Sequence, residues 1–219
     1  MHSLKQYNNW IQAVSDLQSQ FPEVAPHVGG RTALVLHGYG HYAEFRPRRV
    51  FLYSPARFRF PRSFRETFPE PGYRYASWSK WRLFRNGLAD VRKRWDLMQT
   101  KVVDGMPLRV SCPELAMLEM ACAVEHEFVF DEAAKIVEGM GSVNGHLLQT
   151  LLENCTCRKV RRVVCFLSKW AAFDWDSELE LSRLDLGART IQVVQHGIKD
   201  STFRITVPRE YAETETCPF

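Results

Sequence analysis

The first residues whose types and spacing could support chemistry are the glycines and histidines of HVGGRTALVLHGYGHY, from His27 to Tyr42. Gly29 and Gly30 precede a short apolar stretch that has the composition of a helix. A glycine turn that leads into a helix can offer free backbone amides to a phosphate group, because the helix dipole favours an anion there. The segment therefore suggests either a phosphate-binding turn or a tight structural turn.

Nucleotidyltransferase-like domains follow such a turn with a strand carrying two carboxylates, one residue apart, that hold the metal ion bridging the nucleotide phosphates. Here the next strand reads RRVFLYS, and Phe51–Tyr53 stands where the carboxylates would be needed. No acidic residue lies between Glu44 and Glu66. We therefore predict a structural turn in a degenerate nucleotidyltransferase-like core that is not an enzyme. An active transferase using Asp90 or Asp104 ranks last, because neither follows a known spacing.

The cysteines and histidines do not form a metal-binding pattern. Cys155 and Cys157 form C-x-C instead of the C-x-x-C of structural zinc sites, and no second pair follows. P-loop, G-x-S-x-G and H-E-x-x-H motifs are absent from the sequence. We predict no metal, no cofactor and no catalytic residues; a histidine–cysteine nucleophile pair is the remaining alternative, and no spacing points to it. Six irregularly spaced cysteines are typical of reduced thiols in the cytoplasm.

Basic residues are concentrated in one quarter of the chain. Residues 44–94 contain 14 arginines and lysines against four acidic residues, a net charge of +10, whereas the whole chain carries +4. Such asymmetry is typical of a surface that meets a polyanion or an acidic protein. No apolar run approaches the roughly 20 residues that cross a membrane.

Two basic constellations are candidate contacts to a partner protein or to nucleic acid. The first contains Arg46, Arg48 and Arg49 ahead of the strand. The second belongs to CRKVRRV and places four cations on the first turns of a helix, namely Arg158, Lys159, Arg161 and Arg162. Cations at a helix N-terminus oppose the helix dipole, which favours a partner that compensates them. A solvated face near acidic residues such as Glu153 is the alternative.

The N-terminal part predicts a helix over residues 3–20, a two-turn helix over 31–39 and a strand over 48–54. Residues 55–72, rich in proline, arginine and phenylalanine, predict an irregular loop. YRYASW and RLFRN are weaker strands, and Leu108–Ser111 is a further strand.

The C-terminal part predicts four helices and two strands. A capping box begins the first helix, with Ser111 as N-cap, Pro113 in the first turn and Glu114 three residues after the cap. Asp131 and Ser142 begin the second and third helices. A fourth covers KVRRVVCFLSKWAAF, and TIQVVQH and TFRITVP form a closing hairpin. The predicted fold class is α+β, with a mixed α/β unit over residues 1–103 and a helical unit with a hairpin over residues 104–219.

Four of these segments together resemble the AbiEi-type antitoxins and transcriptional regulators of type IV toxin–antitoxin systems. The segments are HVGGRTALVLHGYGHY with RRVFLYSP, then LRVSCPELAMLEM, then LLENCTCRKVRRVVCFL, and finally LDLGARTIQVVQHGIKDSTFRITVPRE. Each motif is weak alone, and their order and spacing carry the likeness from about residue 27 to residue 210.

The resemblance implies a non-catalytic protein that neutralises a cognate nucleotidyltransferase toxin and represses its own operon. Proteins of this family carry an N-terminal winged helix-turn-helix ahead of the glycine segment, and only 26 residues precede His27 here. We therefore expect little or no reader domain in this chain, because a recognition helix needs its own small domain to hold it in the major groove. A nucleic-acid-binding regulator without a toxin partner is the alternative function.

Overall fold

The computed structural model describes residues 10–22, 26–40, 50–54, 58–69, 72–77, 83–84, 88, 91, 94–125 and 127–212. The helices are α1 (Trp10–Gln20), α2 (Gly30–Leu36), α3 (Arg62–Thr67), α4 (Pro113–Ala123), α5 (Glu127–Glu138), α6 (Gly145–Asn154) and α7 (Arg158–Ala171). The strands are β1 (His27–Val28), β2 (Val50–Ser54), β3 (Tyr73–Ser77), β4 (Met98–Val103), β5 (Met106–Ser111), β6 (Ile198–Lys199) and β7 (Thr206–Val207). Three 3₁₀ turns cover Asp174–Glu178, Leu181–Arg183 and Arg209–Tyr211.

The main sheet is mixed and has the strand order β3-β2-β1-β5-β4. Strand β1 lies at its centre, antiparallel to β2 and parallel to β5, with Val28 opposite Val110. Strands β4 and β5 form a hairpin through Asp104 and Gly105, whose φ angles of 48° and 76° suit a tight two-residue turn. The predicted boundary between residues 103 and 104 falls in this turn, inside one sheet. The division into two domains stays a prediction.

Helix α4 is the centre of the core. Nine of its eleven residues are buried, because PELAMLEMACA carries apolar side chains around its whole circumference. It packs against α2, α5, α6 and α7, so that the sheet and the helices share one continuous core that reaches from α1 to Tyr211. Within the described residues, no helix is long and apolar enough to cross a membrane.

Most of the predicted elements are confirmed. The mixed α+β class, the first two helices within the described residues, strands β2, β3 and β5, helix α7 and a small C-terminal hairpin all occur. The likeness of the core to a nucleotidyltransferase stays a prediction.

Four local predictions are wrong. The expected loop at 55–72 contains helix α3, since its phenylalanines recur at helical spacing and pack inward. Helices α5 and α6 begin at Glu127 and Gly145 instead of Asp131 and Ser142, and the Asn144 side chain caps α6. TIQVVQH forms only one bridge, between Ile191 and Ile205, and the hairpin is β6 with β7. Of RLFRN, the structure describes only Leu83 and Phe84, and Phe84 forms a bridge with Cys155.

Candidate functional site

A buried carboxylate lies where the sheet meets α2 and α4. Glu119, in the middle of α4, is 0% exposed. Its Oε2 accepts hydrogen bonds from the Ser111 hydroxyl at 2.6 Å and from the Gly30 amide at 3.0 Å. Its Oε1 lies 2.8 Å from Nε2 of His27. A buried carboxylate is tolerated only when such partners replace its hydration, so this network fixes the packing of α4 on the sheet.

The Gly-Gly turn exists because this carboxylate comes so close to the backbone. A Cβ at Gly29 would lie 2.3 Å from Oε2 of Glu119 and 2.5 Å from Cδ2 of Tyr53. Gly30 has a φ of +53°, in the left-handed region that favours glycine. The amide at the start of α2 therefore binds an internal carboxylate in the position that a phosphate would take.

Tyr53 closes this network on the side of strand β2. Its hydroxyl donates a 2.8 Å hydrogen bond to the backbone carbonyl of Glu119, and its ring stacks on His27 with centroids 6.0 Å apart. Burial and the charge of Glu119 raise the pKa of Tyr53 well above its ordinary value. Tyr53 thus stays neutral and acts as a hydrogen-bond donor within the core.

The predicted capping box at the start of α4 is wrong. Ser111 remains the last residue of β5, and its hydroxyl turns toward Glu119. Cys112 is the N-cap, without a side-chain cap bond, and Pro113 occupies the first turn as predicted. Glu114 accepts a 2.8 Å hydrogen bond from the backbone amide of Asn144. Its carboxylate therefore fixes the loop before α6 instead of closing a box with Ser111.

The basic constellation of α7 binds inside the protein. The Lys159 ammonium donates to the carbonyls of Cys122 and Val124, at the C-terminal end of α4. The Arg161 guanidinium donates to the carbonyls of Leu152 and Glu153, at the C-terminal end of α6. These cations satisfy the last carbonyls of two neighbouring helices, where positive charge is favourable. The expected compensating partner is thus supplied largely by the fold.

Arg162 is a structural residue. It is 1% exposed, and its guanidinium donates to four backbone carbonyls, those of Leu186, Gly187, Arg189 and Arg204. Burial lowers its pKa, as do the nearby charges of Arg204 and Arg158, while Asp185 raises it. Because the side chain lies beneath the segment that it organises, it offers no surface to a partner. The prediction that Arg162 contacts a partner is therefore corrected.

The remaining predicted contacts differ in their surroundings. Arg158 is exposed and forms a 2.7 Å ion pair with Asp185. Arg46, Arg48 and Arg49 lie outside the described residues. Contact of these residues with toxin or nucleic acid stays a prediction.

Four of the described cysteines, Cys112, Cys122, Cys155 and Cys165, have the properties of buried structural thiols. Five of the six lie in the described residues, none of them in a disulfide. Burial, the largest contribution, raises the pKa of the Cys155 thiol and that of the Cys165 thiol to about 12. Within the described part of the chain, no group of three or more cysteine, histidine, aspartate or glutamate residues could hold a metal ion.

Two structural features, the buried Glu119 and helix α3, are absent from the sequence predictions. Glu119 was hidden inside the apolar helix LAMLEMACA, although an acidic residue on such a helix is itself a signal of a buried polar network. The proline content of the segment FRFPRSFRETF predicts a loop, although its spacing of phenylalanine and arginine favours one buried and one charged face.

The comparisons with known proteins agree with this fold. A family model described as "Transcriptional regulator, AbiEi antitoxin, Type IV TA system" matches residues 47–208. The chain is also similar to a protein from Mycobacterium tuberculosis whose solved structure is titled "Crystal structure of RV2827C protein". The TM-score is 0.60 at 12% identity, over 91% of this chain and 68% of that one, which shows a shared fold.

No curated protein matches the chain at a significant level. The family match covers well over half of the sequence and includes strands β2 to β7 and helices α3 to α7. Over residues 47–208 it confirms the likeness carried by the sequence segments, and His27–Tyr42 lies outside the match. The chain belongs to the AbiEi antitoxin family of transcriptional regulators of type IV toxin–antitoxin systems.

Proposed function

We propose that this chain is a non-catalytic cytoplasmic antitoxin that neutralises a cognate nucleotidyltransferase toxin and takes part in regulating its own operon. The observation that carries the proposal is the use of its polar groups inside the fold. His27 and Ser111 bind the carboxylate of Glu119 in the core, and Lys159, Arg161 and Arg162 bind backbone carbonyls. Such groups stabilise a scaffold for binding, and this supports a partner-binding role for the surface.

The same observation argues against nucleotide transfer at the glycine turn. The amide of Gly30 already binds Glu119, and the strand that follows carries Tyr53 where a metal ligand would be needed. If the turn descends from a nucleotidyltransferase-like core, its anion site has been taken over by the protein's own carboxylate. Purified chain with nucleoside triphosphates and Mg²⁺ is expected to show no turnover.

Growth rescue tests the antitoxin function. The product of the neighbouring open reading frame is expressed in a host with and without this chain. A toxin variant without its metal-binding carboxylates controls for the burden of expression. We expect the active toxin to arrest growth and this chain to restore it. Continued arrest in the presence of folded, abundant chain would contradict the proposal.

A second candidate function is nucleic-acid binding without a toxin partner. The net charge of +10 over residues 44–94 favours it, because a basic surface of this density attracts phosphate. It predicts binding to duplex DNA whose affinity falls steeply with salt. A chain that binds DNA and fails to rescue growth would support this alternative.

A further inference from the structure

Three arginines of the segment 58–69 are exposed, and we call them together the arginine ridge. Its members Arg59, Arg62 and Arg65 recur every third residue and are all exposed. Arg62 and Arg65 lie on α3, where residues three apart are neighbours on one face. The segment thus presents three guanidinium groups in sequence.

The ridge has a rigid aromatic base. Phe60, Phe64 and Phe68 are buried beneath it, and the ring centroids of Phe64 and Phe68 lie 5.0 Å apart. The ring centroids of Phe60 and Tyr75, in strand β3, lie 4.6 Å apart, and this contact attaches the aromatic base to the main sheet. Aromatic contacts of this kind order the backbone that carries the arginines, so less conformational entropy is lost when a partner binds.

The guanidinium groups of the ridge make few hydrogen bonds or ion pairs within the described protein, in contrast to those of Arg161 and Arg162 in α7. Arg62 is paired with Glu66 through one 2.7 Å contact, and their side chains are 88% and 61% exposed. Such an exposed pair is weak and leaves the other donors of the guanidinium available. For the guanidinium groups of Arg59 and Arg65, the described part of the chain supplies no hydrogen bond or ion pair.

We propose that the arginine ridge binds the phosphate backbone of duplex nucleic acid. A guanidinium group donates two parallel hydrogen bonds to phosphate oxygens, and several guanidinium groups close together can contact several phosphates. The phenylalanines are buried and cannot stack on bases, so the contact is independent of base sequence. The inference rests on the regulatory half of the proposed function and assigns it a surface.

An acidic protein surface fits the ridge less well. Protein interfaces centre on exposed apolar or aromatic residues with a polar rim. In the described part of the segment, Phe60, Phe64 and Phe68 face inward, and Glu66, Thr67 and Pro69 are exposed beside the arginines. Phe21, 37% exposed, packs on Phe58, with ring centroids 5.5 Å apart. A surface on which charged residues predominate is typical of phosphate contact.

The test compares two triple variants of the full chain. The ridge variant is Arg59→Gln with Arg62→Gln and Arg65→Gln. The matched control is Arg189→Gln with Lys199→Gln and Arg209→Gln, three exposed cations elsewhere on the chain. Affinity for two short DNA duplexes of unrelated sequence is measured between about 50 and 200 mM salt. Thermal melting of each variant checks that it is folded.

We expect the ridge variant to lose affinity equally for both duplexes. The slope of log affinity against log salt should fall by about 0.9 for each phosphate contact removed. The control should retain most of the wild-type affinity and slope. A triple arginine-to-lysine ridge variant should keep the slope, because it keeps the charges, and should bind somewhat more weakly without the paired donors.

Several outcomes would overturn the proposal. These are an unchanged slope in the ridge variant, an equal loss in the control, an effect on one duplex sequence only, or lost growth rescue with unchanged DNA binding. The last result would identify the ridge as a protein contact.

A wild-type chain that rescues growth and binds neither duplex contradicts the ridge proposal alone. A chain that binds both duplexes through the ridge without rescuing growth contradicts only the antitoxin function.

Discussion

The carboxylate of Glu119 lies 3.0 Å from the backbone amide of Gly30, the first residue of α2. The contact joins residues 89 positions apart and puts a negative charge at the positive end of a helix. An internal carboxylate therefore occupies the anion position of a glycine turn. The turn fixes the packing of the core.

Replacement of Gly29 by alanine should lower the free energy of unfolding by about 1–3 kcal/mol, the range for overpacking a core. The new Cβ would overlap Oε2 of Glu119 and the ring of Tyr53, neither of which can move into solvent. Urea denaturation measures the loss. Gly141→Ala is the matched control, since its Cβ would lie 3.6 Å from the nearest atom. Equal stability of the two variants would contradict the close approach.

Ser111 and Glu119 should be energetically coupled. Ser111→Ala leaves a buried carboxylate without one hydrogen bond, which should lower the free energy of unfolding by about 1–3 kcal/mol. In a double-mutant cycle with Glu119→Gln, the coupling energy should exceed about 0.5 kcal/mol. The cycle of Ser111→Ala with Glu114→Ala should give a smaller coupling, because Glu114 binds Asn144 instead. A larger coupling of Ser111 with Glu114 than with Glu119 would instead support a capping box between Ser111 and Glu114.

Arg162→Met should lower the free energy of unfolding by at least about 2 kcal/mol, because several backbone carbonyls each lose a charged donor. Since these carbonyls lie between residues 186 and 204, hydrogen exchange should accelerate most in that segment. Arg158→Met removes an exposed ion pair from the same helix and should change stability little. A mild effect of Arg162→Met would mean that the guanidinium does not organise this segment.

His37 should make stability dependent on pH. Burial lowers its pKa from 6.5, partly opposed by the hydrogen bond between Nε2 and the Ser111 carbonyl. Because the folded pKa lies below the unfolded one, this stability is present above pH 6.5 and is lost as the pH falls toward the folded value. His37→Gln should flatten the profile of unfolding free energy between about pH 7.5 and 5.5. An unchanged slope in that variant would assign the dependence to another group.

Local patterns were sufficient for the elements whose residues specify them independently. Helix α7 follows from apolar residues such as Val160, Val163 and Leu167 at helical spacing, and strand β2 from the apolar and aromatic run VFLYS. Helix starts were less certain, because Asn144, Asp131 and Ser142 are all good caps and packing decides which one is used.

The sequence by itself determined the α+β class, the main helices, the concentration of basic charge and the family, since these depend on composition and on the order of short motifs. Only the tertiary structure decided what the polar side chains bind. Glu119 meets His27 across 92 positions, and Arg162 meets the carbonyl of Arg204 across 42. The partners of a charged group are set by which distant backbone atoms the fold brings to it, and local periodicity contains no record of that distance.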